Sequence, residues 1–170
     1  MNVNREIKIE KVTINIGAGK DQKILENAVK LIEYMTGIPP VKTKASKRIP
    51  AWGLRPGLPI GCKLTLRGPE KVELLKKVLK AKVGKIKRTN FDKEGNLAMG
   101  VHEYIDVPDI KYNPDIALIG FQICVTFKRN GYRIKHRRIM KKKVPMNHKV
   151  TQDDAIEYMK KEFNITVEEK

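Results

Sequence analysis

The sequence predicts a single α+β domain over residues 1–170, with a mostly antiparallel sheet, helices packed on one face, and an open basic and polar face on the other. Three observations lead there. Segments of apolar–polar alternation outnumber segments with helical spacing. The helical segments separate groups of strands without the regular alternation that a parallel sheet requires. Finally, 41% of the 170 residues are hydrophobic. A chain of this size can bury roughly 70% of its unfolded surface without disulfide or metal staples.

The elements follow in order. Val12, Ile14 and Ile16 alternate with Lys11, Thr13 and Asn15, the period of a half-buried strand. Gly17-Ala18-Gly19-Lys20 turns the chain. Asp21 can cap a helix whose apolar face is Ile24, Leu25, Ala28, Leu31, Ile32 and Met35. Gly37 and Pro39-Pro40 end it. Val41–Ala45 reads as a short extended segment, and Ser46–Pro59 as a long loop punctuated by proline and glycine. A second strand puts Ile60, Cys62, Leu64 and Leu66 on one face and Gly61, Lys63, Thr65 and Arg67 on the other. Gly68-Pro69 opens a helix with Val72, Leu75, Val78 and Leu79 as its buried stripe. Lys93-Glu94-Gly95-Asn96 is a turn. Val101–Val107 and Ile116–Phe127 read as strands, the latter with Phe121, Ile123, Val125 and Phe127 in register. Thr151 with Asp154 resembles a capping box for a final helix bearing Ile156, Met159 and Phe163.

Charge narrows the function. The net charge is +17, and it is concentrated. Residues 41–67 hold seven cations and no acid, and residues 128–149 hold ten cations and no acid, so the rest of the chain is balanced. A merely solubilising surface mixes signs. Two acid-free basic stretches call for a polyanionic partner. A membrane surface fits less well, because neither stretch carries an amphipathic helical pattern, and no apolar run approaches a membrane span or the core of a signal peptide. Cys62 and Cys124 both fall in apolar alternating runs, which predicts two buried thiols and a cytoplasmic protein.

Two constellations could carry the binding. The first is the polar sheet face of Lys11, Thr13, Asn15, Lys63, Thr65 and Arg67. Its plain reading is the wet side of an antiparallel sheet. Yet its cations suit phosphates, and its amide and hydroxyls suit sugar and base edges. The lack of aromatics on this face argues against base stacking and for reading the shape and backbone of a folded RNA. The second is the loop around Trp52, with Lys47, Arg48 and Arg55. Either Trp52 is a lid on the core, or it lies against a ribose or base while its neighbours hold phosphates. In the second basic stretch, Arg133, Lys135, Arg137 and Arg138 are further candidate RNA contacts. Gly17-Ala18-Gly19-Lys20 is not a phosphate-binding loop: Ile14 stands where the first glycine belongs, and Asp21 where a serine or threonine belongs. No catalytic or metal cluster is apparent. The histidines are scattered, the cysteines have no ligand partners, and Asp109 follows Pro108 in a turn, away from any pairing with Asp106. No enzyme activity, cofactor, metal or small-molecule substrate is expected. A DNA-packaging protein and an RNA-modifying enzyme are the rival classes, and the second lacks a cofactor loop or catalytic cluster.

The stretches EKVTINIGAGK, TGIPPVKTKASKRI and LRPGLPIGCKLTLRG, in this order, resemble the large-subunit ribosomal protein family that binds 5S ribosomal RNA, the fifth in the traditional naming. EYIDVPDIKYNPDIALIGFQICVTFKRNGYRIKHRR resembles its archaeal and eukaryotic branch. The resemblance implies an α+β fold and a place in the central protuberance of the large subunit, joining 5S rRNA to the large-subunit rRNA. It implies that the sheet face around Asn15, Lys63, Thr65 and Arg67 contacts 5S rRNA, with Thr43 and Lys44. It further implies that the 46–59 loop points at the peptidyl-site tRNA, and that some surface bridges to a protein of the small-subunit head.

Overall fold

The computed structural model describes residues 3–82, 84–108 and 110–168, so the reading of Asp109 lies outside the described residues. At its centre is β1 (Ile7–Gly17), flanked by β3 (Pro59–Leu66) and β6 (Phe121–Arg129). The outer strands are β2 (Val41–Lys44) beside β3 and β5 (Leu97–Val101) beside β6. Every neighbouring pair in this five-stranded sheet is antiparallel. β4 (Lys85–Lys87) and β7 (Thr166–Glu168) form a small parallel pair that the sequence reading did not anticipate.

One feature of β1 escapes simple periodicity. Ile9 pairs with Phe127 and Lys11 with Thr126, so Glu10 is the extra residue of a β-bulge. Val12, Ile14 and Ile16 face the core, and the bulge shifts the phase so that Ile9 joins them. Glu10 and Lys11 are thereby both left on the open side.

Helices cover the other face. In α1 (Gln22–Thr36), the Asp21 carboxylate accepts from the backbone N–H groups of Lys23 and Ile24, and Gly37 closes the helix in the left-handed conformation, both as expected. Leu25, Ala28, Leu31 and Ile32 are buried, but Ile24 is exposed, at the outer margin of the stripe. α2 (Glu70–Ala81) buries Leu74, Leu75, Val78 and Leu79; Leu74 rather than Val72 completes its stripe. α4 (Gln152–Phe163) has the capping box of Thr151 and Asp154 and buries Ala155, Ile156 and Met159. Its Tyr158 ring meets the core-facing Phe127 edge-on, with centroids 5.6 Å apart. Each large aliphatic side chain buried here contributes about 1.5–3 kcal/mol.

Two strand readings need correction. Val101–Val107 is not a strand: β5 ends at Val101, and Tyr104–Asp106 forms a 3-10 turn. Val101, Tyr104 and Val107 are buried at a spacing of three, the period of such a turn. The Tyr104 hydroxyl is 3.3 Å from the Asn113 carbonyl and pins the following loop. Likewise Ile116–Gly120 lies outside β6. Pairing starts at Val101 opposite Phe121, and β5 supplies no strand beyond that point for residues 116–120 to join. A third correction concerns Cys124, which is exposed, whereas Cys62 is buried and its burial pushes the thiol up to about 11.

Candidate nucleic-acid interface

The strand register places the predicted polar residues together and adds others. Val41, Lys63, Asn15, Gln122 and Gly100 form one row across all five strands of the sheet. Thr65, Thr13, Cys124 and Ala98 form the next, with the Thr13 and Thr65 hydroxyl oxygens 3.3 Å apart. Lys11 lies opposite Thr126, and Arg67 is exposed just past the end of β3. Thr43 lies opposite Gly61. A side chain at Gly61 would meet the Ile16 carbonyl at 2.5 Å, so the ladder there tolerates only glycine without a shift. Lys44 follows a bulge and is exposed at the foot of the 46–59 loop.

Gln122, Cys124 and Thr126 were absent from the sequence-derived set. The same alternation that put Phe121, Ile123 and Val125 in the core implies them. The face is also less uniformly polar than expected, since Val41 and Ala98 belong to it. At one end, Asn15, Gln122 and His102 line a notch of about 500 Å³ with Gly17, Gly100 and Gly120.

The 46–59 loop is closed by its own backbone. The Ala45 N–H donates to Leu58 at 2.8 Å, and Ile49 and Leu54 exchange hydrogen bonds at 3.0 and 3.1 Å. Ala45 and Leu54 are buried and anchor the stem. A turn over Pro50–Trp52 and a left-handed Gly53 then carry the tip outward. Trp52 is 67% exposed, which excludes the core-lid alternative. Lys47, Arg48 and Arg55 are exposed around it, and the aliphatic stem of Lys20 lies beside Gly53. The turn before α1 cannot cradle a phosphate: the N–H groups of Ala18 and Gly19 both donate to the Ile60 carbonyl, at 2.9 and 3.0 Å.

The second basic stretch leaves β6, passes through the single turn α3 (Arg133–His136), and returns to α4. Its ends are tied down. The Tyr132 hydroxyl donates to the His148 carbonyl at 3.2 Å and accepts from the Val150 N–H at 3.0 Å. Arg133, Lys135 and Arg138 are exposed, and Arg137 is half-buried. The returning chain encloses a cleft of about 990 Å³ against Glu10, Thr126 and Asn96 at one corner of the open face. His136 Nε2 lies 3.9 Å from the Glu10 carboxylate there.

Among the described residues, no group of histidine, cysteine or acidic side chains could hold a metal ion, and no helix is long and apolar enough to cross a membrane.

Comparison with known proteins fits this arrangement. Residues 2–55 match the family model described as ribosomal protein L5, and residues 59–164 match the model for the C-terminus of the same ribosomal family. The two matches meet inside the sheet, the first supplying β1 and β2 and the second β3, β5 and β6. The large ribosomal subunit protein uL5 of Methanosphaera stadtmanae is 44% identical over 168 residues, covering 99% of this chain and 100% of its own. That of Sulfolobus acidocaldarius is 42% identical, covering 98% and 93%. That of Methanobrevibacter smithii is 43% identical, covering 97% of both. The chain therefore belongs to the ribosomal L5 family and is a structural constituent of the large ribosomal subunit, not an enzyme.

Proposed function

We propose that the open sheet face binds 5S rRNA and so attaches it to the large subunit. The observation that carries this reading is the row of Lys63, Asn15 and Gln122 in register on three adjacent strands. It offers a cation for phosphate beside two amides that can each donate and accept at sugar hydroxyls and base edges. Thr13, Thr65, Lys11 and Arg67 extend the same chemistry, and Thr43 and Lys44 continue it toward the loop. Arg133, Lys135, Arg137 and Arg138 serve the large-subunit rRNA. The exposed tip of Trp52, Arg48 and Arg55, with Lys47, reaches the peptidyl-site tRNA. A further surface meets a protein of the small-subunit head, in keeping with the family resemblance.

The test is a mobility shift with folded 5S rRNA against duplex DNA of equal length, across a salt series. Preference for the RNA is expected. If roughly five phosphates are engaged, the log–log salt slope is about −3.5 to −4.5. Equal binding to both, or a slope near zero, overturns the assignment.

A further inference from the structure

The segment that returns from α3 carries a feature that charge does not explain. The Lys142 N–H donates to the Ile134 carbonyl at 3.1 Å, closing residues 135–141 into a compact loop. The Arg137 N–H donates to the Arg133 carbonyl at 2.8 Å, and Arg137 Nε donates to the Met140 carbonyl at 2.9 Å. Met140 has φ 52, a left-handed conformation unusual for a residue with a long side chain. In the turn that these bonds close, the adjacent Ile139 and Met140 are 75% and 72% exposed. Arg138 precedes the pair and Lys141-Lys142-Lys143 follows it, and all four are exposed. An apolar tip with cations on both sides and no acid between residues 128 and 149 is complementary to a polyanion with apolar surface within. RNA supplies both, through its phosphates and the faces of its bases.

We infer that Ile139 and Met140 form an apolar wedge that seats on unstacked bases of ribosomal RNA, while Arg138 and the three lysines engage the flanking phosphates. The inference rests on the RNA-binding reading given above. Bulged or looped bases are the fitting target, because they expose base faces without the cost of unstacking a helix. Arg137 acts as a positioning residue: its bond to the Met140 carbonyl fixes the turn that aims the pair.

The test uses the full chain with two probes, a 5S rRNA transcript and a large-subunit rRNA transcript, over a salt series. Ile139→Ser combined with Met140→Asn removes the apolar surface, keeps every charge, and suits the left-handed backbone. At least about tenfold weaker binding to one transcript is expected, with an unchanged log–log slope, because no phosphate contact is lost. Ile139→Leu combined with Met140→Leu is expected to bind within about twofold of the parent, the change being apolar for apolar. Thermal melts of both variants should match the parent, since neither side chain touches the core.

Polar-variant binding within twofold on both transcripts overturns the wedge, as does an equal loss in the leucine variant or a changed slope. So does a polar variant that loses affinity for anionic phospholipid vesicles but not for RNA. If the parent chain binds neither transcript, the underlying RNA reading fails with it. If the parent binds and the polar variant binds equally, only the wedge fails.

Discussion

Arg129 and Asp154 are joined across two elements. Arg129 Nη2, at the end of β6, donates to Asp154 Oδ2 in the first turn of α4 at 2.8 Å, and Nη1 donates to the Lys149 carbonyl at 3.2 Å. The Arg129 side chain is only 11% exposed. One of the ten cations in the second basic stretch thus holds the fold together instead of facing a partner. Lys149, paired with Glu94 at 3.1 Å, is similarly occupied, though more exposed.

Arg129→Met should therefore destabilise the fold by about 1–3 kcal/mol, since it leaves a partly buried carboxylate short of a donor. Urea unfolding measures this. A stability change below about 0.5 kcal/mol, typical of a surface substitution, would count against the clamp.

The same pair sets an acid dependence. Burial alone pushes the Asp154 carboxyl up, but the N–H and hydroxyl of Thr151 and the Arg129 guanidinium together hold it below its ordinary 3.8. A carboxyl depressed in the folded state stabilises fully above its unfolded value and loses that contribution as pH falls through the folded one. Asp154→Asn should consequently flatten the drop in melting temperature as pH falls below the ordinary carboxyl range of about 4. An unaltered acid limb in the variant would contradict the assignment.

The two faces of β3 should separate binding from folding. Lys63→Ala or Arg67→Ala should weaken 5S rRNA binding by about 1–2 kcal/mol each, the scale of a charge-assisted hydrogen bond, with little change in melting. Leu64→Ala, on the buried face, should cost about 2–5 kcal/mol of stability. If Lys63→Ala unfolds the chain and Leu64→Ala does not, the face assignments are reversed.

What could be read in advance was whatever a single period encodes. Leu64 and Lys63 were legible because burial alternates from Cys62 to Leu66, and Asp21, Gly37 and Thr151 because caps depend on local chemistry. Ile9 was not legible: its burial depends on the bulge at Glu10, set by pairing with a strand more than a hundred residues away. Tyr104 was misplaced for a related reason, since a spacing of three fits a 3-10 turn only when the chain's path is known. Cys124 looked buried because it sits in an apolar run, yet its alternation with Ile123 and Val125 already placed it opposite them. Arg129 could not be distinguished from the other cations of its stretch by composition, because Asp154 lies in a different element.

The middle of the second basic stretch, closed by a few surface hydrogen bonds, should open more readily than the central strands. Its cations repel one another, and Val144 is the buried residue between Gly131 and Lys149. Amides of residues 138–141 should exchange with deuterium far faster than those of β6, and should become protected when ribosomal RNA is added. Exchange as slow as that of the central strand in the free chain would refute this.

The loop carrying Trp52 should separate two RNA-binding roles. Replacing Pro50–Gly53 with a short Gly-Ser turn removes the exposed tryptophan but keeps Ile49 and the buried Leu54, and so preserves the stem. A small change in the length of a flexible loop costs only a few tenths of a kcal/mol. The sheet face stays intact, so 5S rRNA affinity should remain within about threefold, a change of under 1 kcal/mol. Retention of peptidyl-site tRNA by ribosomes carrying the variant should fall, because Trp52 is gone and Arg48 and Arg55 lose the turn that spreads them. Collapse of 5S binding with tRNA retention untouched would show that the two surfaces are assigned the wrong way round. A loss of both with an unchanged thermal melt would mean that the tip and the sheet face grip the same RNA, since Trp52, exposed as it is, contributes little to the core.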